Sequence, residues 1–134
     1  MFMKIRVYYE DTDCGNVVYY ANYLKYMERS RTEFLRERGV DLAAYHEKGF
    51  LFTVAEAHVR YKAPARYNDL LDAESFVKET GNSSMVLATA ITRASDGLLL
   101  AEGEVRLVCV NATGRPTRIP EEIKKALSAQ YPRR

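Results

Sequence analysis

Apolar residues change their spacing once along this chain, and that change limits the folds open to it. Tyr20, Tyr23, Leu24, Met27, Phe34 and Leu35 recur at intervals of three and four, the period of one helix face. From about residue 52 the interval becomes two, the period of strands with one buried side. The helical stretch runs from Asn16, a candidate N-cap, to Gly39, a candidate C-cap. It predicts a helix of about 20 residues, about 30 Å long. "LAAYHEK" reads as a short second helical turn.

The strands follow from the same reading. "MKIRVYYE" alternates ahead of the helix, with Ile5, Val7 and Tyr9 on one face. After the helix, "FTVAEAHVRYKA", "LLDAESFVKE", "MVLATAITRA" and "LLLAEGEVRLVCV" alternate, separated by "APARYND", "TGNSS" and "SDG". Consecutive strands joined by short turns are antiparallel neighbours. "PEEIKKALSAQY" predicts a terminal helix with Pro120 at its start. The expectation is one α+β domain over residues 1–134, a long helix laid on a five-stranded antiparallel sheet. Ala55, Ala57, Ala88, Ala90, Ala101 and Gly103 are expected on the inner face, where small residues let a sheet curve round a helix. One helix cannot cover both edges of such a sheet, and long open edges are rare in soluble proteins. Edge pairing between subunits, in a dimer at least, is therefore expected.

Composition removes several function classes. With 47% hydrophobic and 28% charged residues in 134, the chain is globular. A net charge of +2 is too mild for a nucleic-acid footprint. No apolar run approaches the roughly 18 residues of a membrane span, and no segment reads as a signal peptide. Cys14 and Cys109 lack CxxC spacing, and two histidines are too few to complete a zinc site, so no metal is expected. The cytoplasm is the default compartment.

Chemistry concentrates in "EDTDCGNVVYYANY", residues 10–23. Asp13 falls between a strand end and a helix start. Asp11 is a like charge that would raise its pKa, whereas helix N-terminal amides favour the anion; the residues alone do not decide between them. Those amides are also able to receive an oxyanion, and a carboxylate beside such donors suits the cleavage of an activated acyl group, a thioester above all. The plainer alternative is that Asp11 and Asp13 are turn and cap residues. Cys14 is a candidate nucleophile with no histidine near it in sequence, and a small turn residue is the commoner role. His58 lies on the polar face of its strand, and His46 is similar. Glu28 and Arg31 are spaced for an intrahelical pair. Tyr61, Tyr67 and Asp69 read as packing and turn residues.

"YYEDTDCGNVVYYANYLKYMERSRTEFL" resembles the signature of hotdog-fold acyl-CoA thioesterases, of both the 4-hydroxybenzoyl-CoA type and the Tol–Pal-associated YbgC type. The likeness continues through "YKAPARYNDLL", "EGEVRLVCV" and the Arg-Pro-x-Arg-x-Pro stretch at 115–120. It implies the hotdog fold, a curved antiparallel sheet wrapped round one long helix, assembled as homodimers or homotetramers. It implies an acyl- or aroyl-CoA substrate and no cofactor, coenzyme A being part of the substrate. Asp13 is then the catalytic carboxylate, and the Tyr20 N–H polarises the thioester carbonyl. Many YbgC-type members carry His where this chain has Tyr20, and Tyr matches the 4-hydroxybenzoyl-CoA type. The turn that often carries Arg or Lys for coenzyme A phosphates reads "TGNSS" here, leaving Asn82, Ser83 and Ser84 as candidates beside Arg118, with Arg115 weaker. Two rivals stand: hydrolysis of an acyl carrier protein thioester, docked on Arg60, Lys62 and Arg66, and a non-catalytic acyl-CoA-binding or scaffold module.

Overall fold

A computed structural model describes residues 3–128. In chain order the elements are β1 (Met3–Arg6), a 3-10 turn (Tyr9–Asp11), α1 (Asn22–Glu37), α2 (Leu42–Glu47), β2 (Leu51–Tyr61), β3 (Leu70–Thr80), β4 (Ser84–Arg93), β5 (Leu99–Val110) and α3 (Glu121–Ser128). The five strands form one antiparallel sheet in the order β1-β3-β4-β5-β2. The expected hotdog architecture is present. The predicted terminal helix is α3, and the part of that prediction beyond residue 128 lies outside the described residues.

The long helix is shorter than its periodicity suggested. α1 has 16 residues and starts after Ala21, with no side-chain cap. Asn16 does not cap it. That residue sits at φ 63 in a tight turn instead, and the β-branched pair that follows is drawn into extended pairing: Val18 bridges Thr12 and Val17 bridges Arg66. Burial of Val18 favours this arrangement over another helical turn. The C-terminus is as expected. Gly39 takes φ +83, and the amides of Gly39 and Val40 bond to the carbonyls of Arg36 and Leu35, the double closure that a left-handed glycine permits.

Two apolar clusters fill the space between α1 and the sheet. One, around Tyr23, Tyr26, Met27, Ile91 and Ala101, lies under the first half of the helix. The other, around Leu35, Leu87, Leu107 and Ile123, lies under the second half with α2 and α3. Between them the hydroxyls of Ser30, Ser75 and Thr89 form a buried chain at 2.7 and 2.8 Å. These small polar residues bring the helix close to the sheet without an unpaired hydroxyl.

Not all the small residues face the helix. Ala88 and Ala90 pair with Glu104 and Glu102 and therefore lie on the outer face; Met85, Leu87, Thr89 and Ile91 supply the inner one. Ala55 falls in a bulge between Val54 and Glu56, which switches the faces of β2 and was invisible to a strict period of two. Gly103 does face inward, as expected. A Cβ there would stand 2.6 Å from the His58 carbonyl oxygen and 3.0 Å from Met27 Sδ.

Candidate active site

The segment from Tyr8 to Asn22 is a closed loop held at its neck by Asp11. The Asp11 carboxylate accepts from the Tyr8 amide at 2.8 Å. Its backbone carbonyl accepts from the Tyr19 amide at 2.9 Å and from Asn22 Nδ2 at 2.8 Å. Inside the loop, Asp13 N–H donates to the Val17 carbonyl, and Asp13 Oδ1 accepts from Gly15 N–H at 2.8 Å. The two carboxylates thus face different partners. Asp11 braces the neck, and Asp13 is exposed at the rim with its second oxygen unbonded among the described residues.

The neck contact decides which helix-mouth amides are spent. Tyr19 N–H goes to Asp11, Asn22 N–H to the Tyr19 carbonyl, and Tyr23 N–H to the Tyr20 carbonyl at 3.3 Å. Among the described residues, the N–H groups of Tyr20 and Ala21 have no hydrogen-bond partner. No described contact joins Asp13 to these two amides. The Tyr19 phenol is raised above its ordinary pKa first by the Tyr20 hydroxyl and, more weakly, by the charge of Asp13.

A cavity of about 290 Å³ opens beside these amides, lined by Val18, Tyr20, Tyr23, Tyr61, Ala63 and Pro64 with Lys62. Its phenols are used internally. Tyr23 Oη accepts from the Ala65 amide at 3.0 Å, and Tyr61 Oη donates to the Tyr20 carbonyl at 3.1 Å. The far wall is the 62–69 loop, joined to the Asp13 loop by Val18 N–H to the Ala65 carbonyl at 2.8 Å. Arg93 clamps that wall from β4, reaching the Pro64 carbonyl at 3.1 Å and the Asp69 carboxylate at 3.2 Å. Sequence reading missed Tyr61, Asn22 and Arg93 as parts of this end of the molecule. The signal for the first two was the stretch "YKAPARYND" read together with the Asn-Tyr pair that opens the helix; nothing in the sequence marked Arg93.

The other predicted residues gather elsewhere. The Ile119 amide bonds to the Asn82 carbonyl at 2.8 Å, so Arg118 adjoins the Asn82–Ser84 turn. Arg106 Nη1 reaches Ser84 Oγ at 3.4 Å and supplies a cation absent from the turn itself. This cluster is at the Ser84 end of β4, while Asp13 and Tyr20 are at the Arg93 end. Ten residues of strand separate them, about 30 Å at the usual rise. Within one protomer the two groups do not meet.

The remaining candidates are peripheral. Cys14 is exposed. His58 sits on the outer face, 3.6 Å from Glu56. Glu28 accepts from the Thr32 hydroxyl at 2.5 Å, and among the described residues it makes no ion pair with Arg31, whose guanidinium is half-buried with its pKa lowered by that burial. Among the described residues, no three His, Cys, Asp or Glu side chains are grouped to hold a metal, and no helix is long and apolar enough to cross a membrane.

Residues 7–127 match the family model described as the thioesterase-like superfamily. The chain belongs to that superfamily. It is a thioester hydrolase. The chain is 39% identical over 120 residues to the acyl-CoA thioester hydrolase YbgC of Escherichia coli O157:H7, covering 89% of each. It is 36% identical to the acyl-CoA thioesterase YbgC of Haemophilus influenzae, covering 91% of this chain and 90% of that one. Among solved structures, a hypothetical protein of Thermus thermophilus superposes with a TM-score of 0.89 at 32% identity, covering 95% of this chain and 96% of that one. The gentisyl-coenzyme A thioesterase BH1999 superposes at 0.87 with 26% identity, covering 96% and 100%.

Proposed function

We propose that this thioester hydrolase acts on acyl-CoA, releasing the free acid and coenzyme A, with the Asp13 carboxylate and the helix-mouth amides as its machinery. One observation carries the reading: the braced loop that bears the exposed Asp13 carboxylate also bears the Tyr20 N–H, unspent among the described residues, and its Tyr20 end lines a cavity of about 290 Å³. The acyl group occupies the cavity, with its carbonyl oxygen toward the Tyr20 and Ala21 amides. Asp13 then attacks the carbonyl carbon to form a mixed anhydride that water later opens, or draws a proton from water that attacks directly. Either way negative charge builds on the oxygen, where preorganised N–H groups stabilise it most. The thiolate leaves readily, so the absence of a strong acid from the described contacts of the loop is no obstacle.

Asn82, Ser83, Ser84 and Arg118 are the proposed coenzyme A contacts, and their distance from Asp13 bears on assembly. β2 is an 11-residue edge strand bonded on one side, with Val54 half exposed. Two copies pairing antiparallel along it set the Leu51 end of one beside the Tyr61 end of the other. The phosphate-contacting end of one protomer then approaches the Asp13 end of its partner. The proposed working form is a homodimer, or a homotetramer of two such pairs, in the cytoplasm. A second reading has support in Arg60, Lys62 and Arg66, exposed near the cavity: the acyl group is delivered by an acidic acyl carrier protein. Thiol release measured over short aliphatic, long aliphatic and aromatic CoA esters, beside a matched carrier-protein ester, tests both. Turnover of CoA esters is expected. Cleavage of the carrier-protein ester alone, suppressed by salt, would favour the second reading. No cleavage of any thioester would remove the mechanism.

A further inference from the structure

Tyr61 reads from sequence as a packing residue, yet its hydroxyl is held on one particular peptide. Its ring meets Tyr23 edge-on at 5.3 Å and Tyr20 edge-on at 6.3 Å. Those contacts fix the phenol at the end of β2, where its hydroxyl donates to the Tyr20 carbonyl at 3.1 Å. The same carbonyl accepts from the Tyr23 amide at 3.3 Å. The Tyr20–Ala21 peptide therefore has its C=O held twice, once from outside the helix, and its N–H unspent among the described residues. Hydrogen bonds in a chain polarise one another, so a peptide that accepts at oxygen becomes a better donor at nitrogen. Burial, and then the neighbouring Tyr20, raise the Tyr61 phenol above its ordinary pKa, which keeps the donor proton in place.

We infer that Tyr61 is a positioning residue for thioester cleavage. Its hydroxyl fixes the Tyr20–Ala21 peptide so that the Tyr20 and Ala21 N–H groups converge on the carbonyl oxygen, and it strengthens the second of these donors as charge develops there. The inference rests on the Asp13–Tyr20 reading above and adds to it a donor, Ala21, and the residue from the edge strand that tunes it. A tyrosine that merely packs would contribute its ring and leave the bonding of its hydroxyl without consequence for rate.

Tyr61→Phe keeps the ring and the cavity wall. Loss of one such hydrogen bond is expected to lower kcat about three- to tenfold, with KM for the CoA ester essentially unchanged. A second readout is the infrared stretch of a carbon-13-labelled thioester carbonyl bound to Asp13→Asn protein. Adding Tyr61→Phe to that background should move the band to higher wavenumber, as the oxygen loses polarisation. Should Tyr61→Phe fold poorly, 3-fluorotyrosine at position 61, assayed well below its own pKa, offers a stronger donor of nearly the same shape; kcat should equal or exceed wild type. An unchanged kcat in folded Tyr61→Phe with an unmoved carbonyl band, or a lower kcat with the fluorinated residue, overturns the inference. The Asp13→Asn assay keeps the two levels apart: wild-type turnover there removes the underlying reading, whereas a dead Asp13→Asn beside an unaffected Tyr61→Phe removes the role of Tyr61 alone.

Discussion

Asp13 and Cys14 are neighbours in the chain with different prospects. The carboxylate shares a loop with unspent amides, while the thiol is exposed and has no partner in the described contacts of that loop. Cys14→Ala should retain turnover in the thiol-release assay; loss of activity in a folded protein would restore the thiol as nucleophile. Tyr26 offers a separate test. It is 1% exposed and its hydroxyl has no hydrogen-bond partner among the described residues, although Asp11 lies near enough to help burial raise its pKa. An unpaired buried hydroxyl contributes little, so Tyr26→Phe should leave urea stability within about 1 kcal/mol of wild type or above it. A larger loss would mean that Asp11 does receive that bond. Asp13 became a candidate because turn residues, a like charge and a helix start meet within a few positions of a stretch that resembles a known signature. Tyr61 was not, because only the folded chain brings residue 61 to the carbonyl of residue 20.

At the scale of elements, periodicity located every strand and the long helix, and it failed where the local count of residues breaks. The bulge after Val54 and the late start of α1 both come from tertiary pairing that outweighs local pattern. Gly103 is the element-scale test of how closely α1 lies on the sheet. Gly103→Ala forces a Cβ against a backbone carbonyl and should cost about 1–3 kcal/mol in chemical denaturation; a neutral result would mean that β2 shifts freely. The tyrosines of the helix mouth set the alkaline limit. Burial is the first cause that raises the phenols of Tyr23 and Tyr26 above 10.0. A raised folded pKa means that the neutral form is favoured in the fold. That stability is fully present below pH 10 and is lost as pH rises through the raised values. Phenolate absorbance should therefore lag behind that of exposed tyrosines and then appear together with unfolding; ionisation of all ten at an ordinary pH without unfolding would contradict the packing.

For the whole molecule, the sheet has one very short edge, β1, and one long one, β2. The sequence led to the expectation of a partner from the count of strands against helices. It could not show that the proposed phosphate contacts and Asp13 stand at opposite ends of one protomer, because that depends on the assembled strand order. Sedimentation should give a multiple of the 15.3 kDa chain, and Val54→Asp on the open edge should shift it toward the monomer with loss of turnover; an active monomer would sever the site from the assembly. The most direct measurement remains the turnover of a CoA ester by Asp13→Asn protein whose sedimentation and melting match wild type. With that role for the Asp13 carboxylate, kcat should fall by about two to four orders of magnitude, as expected when a positioned base or nucleophile is removed. Turnover within about twofold of wild type would contradict it.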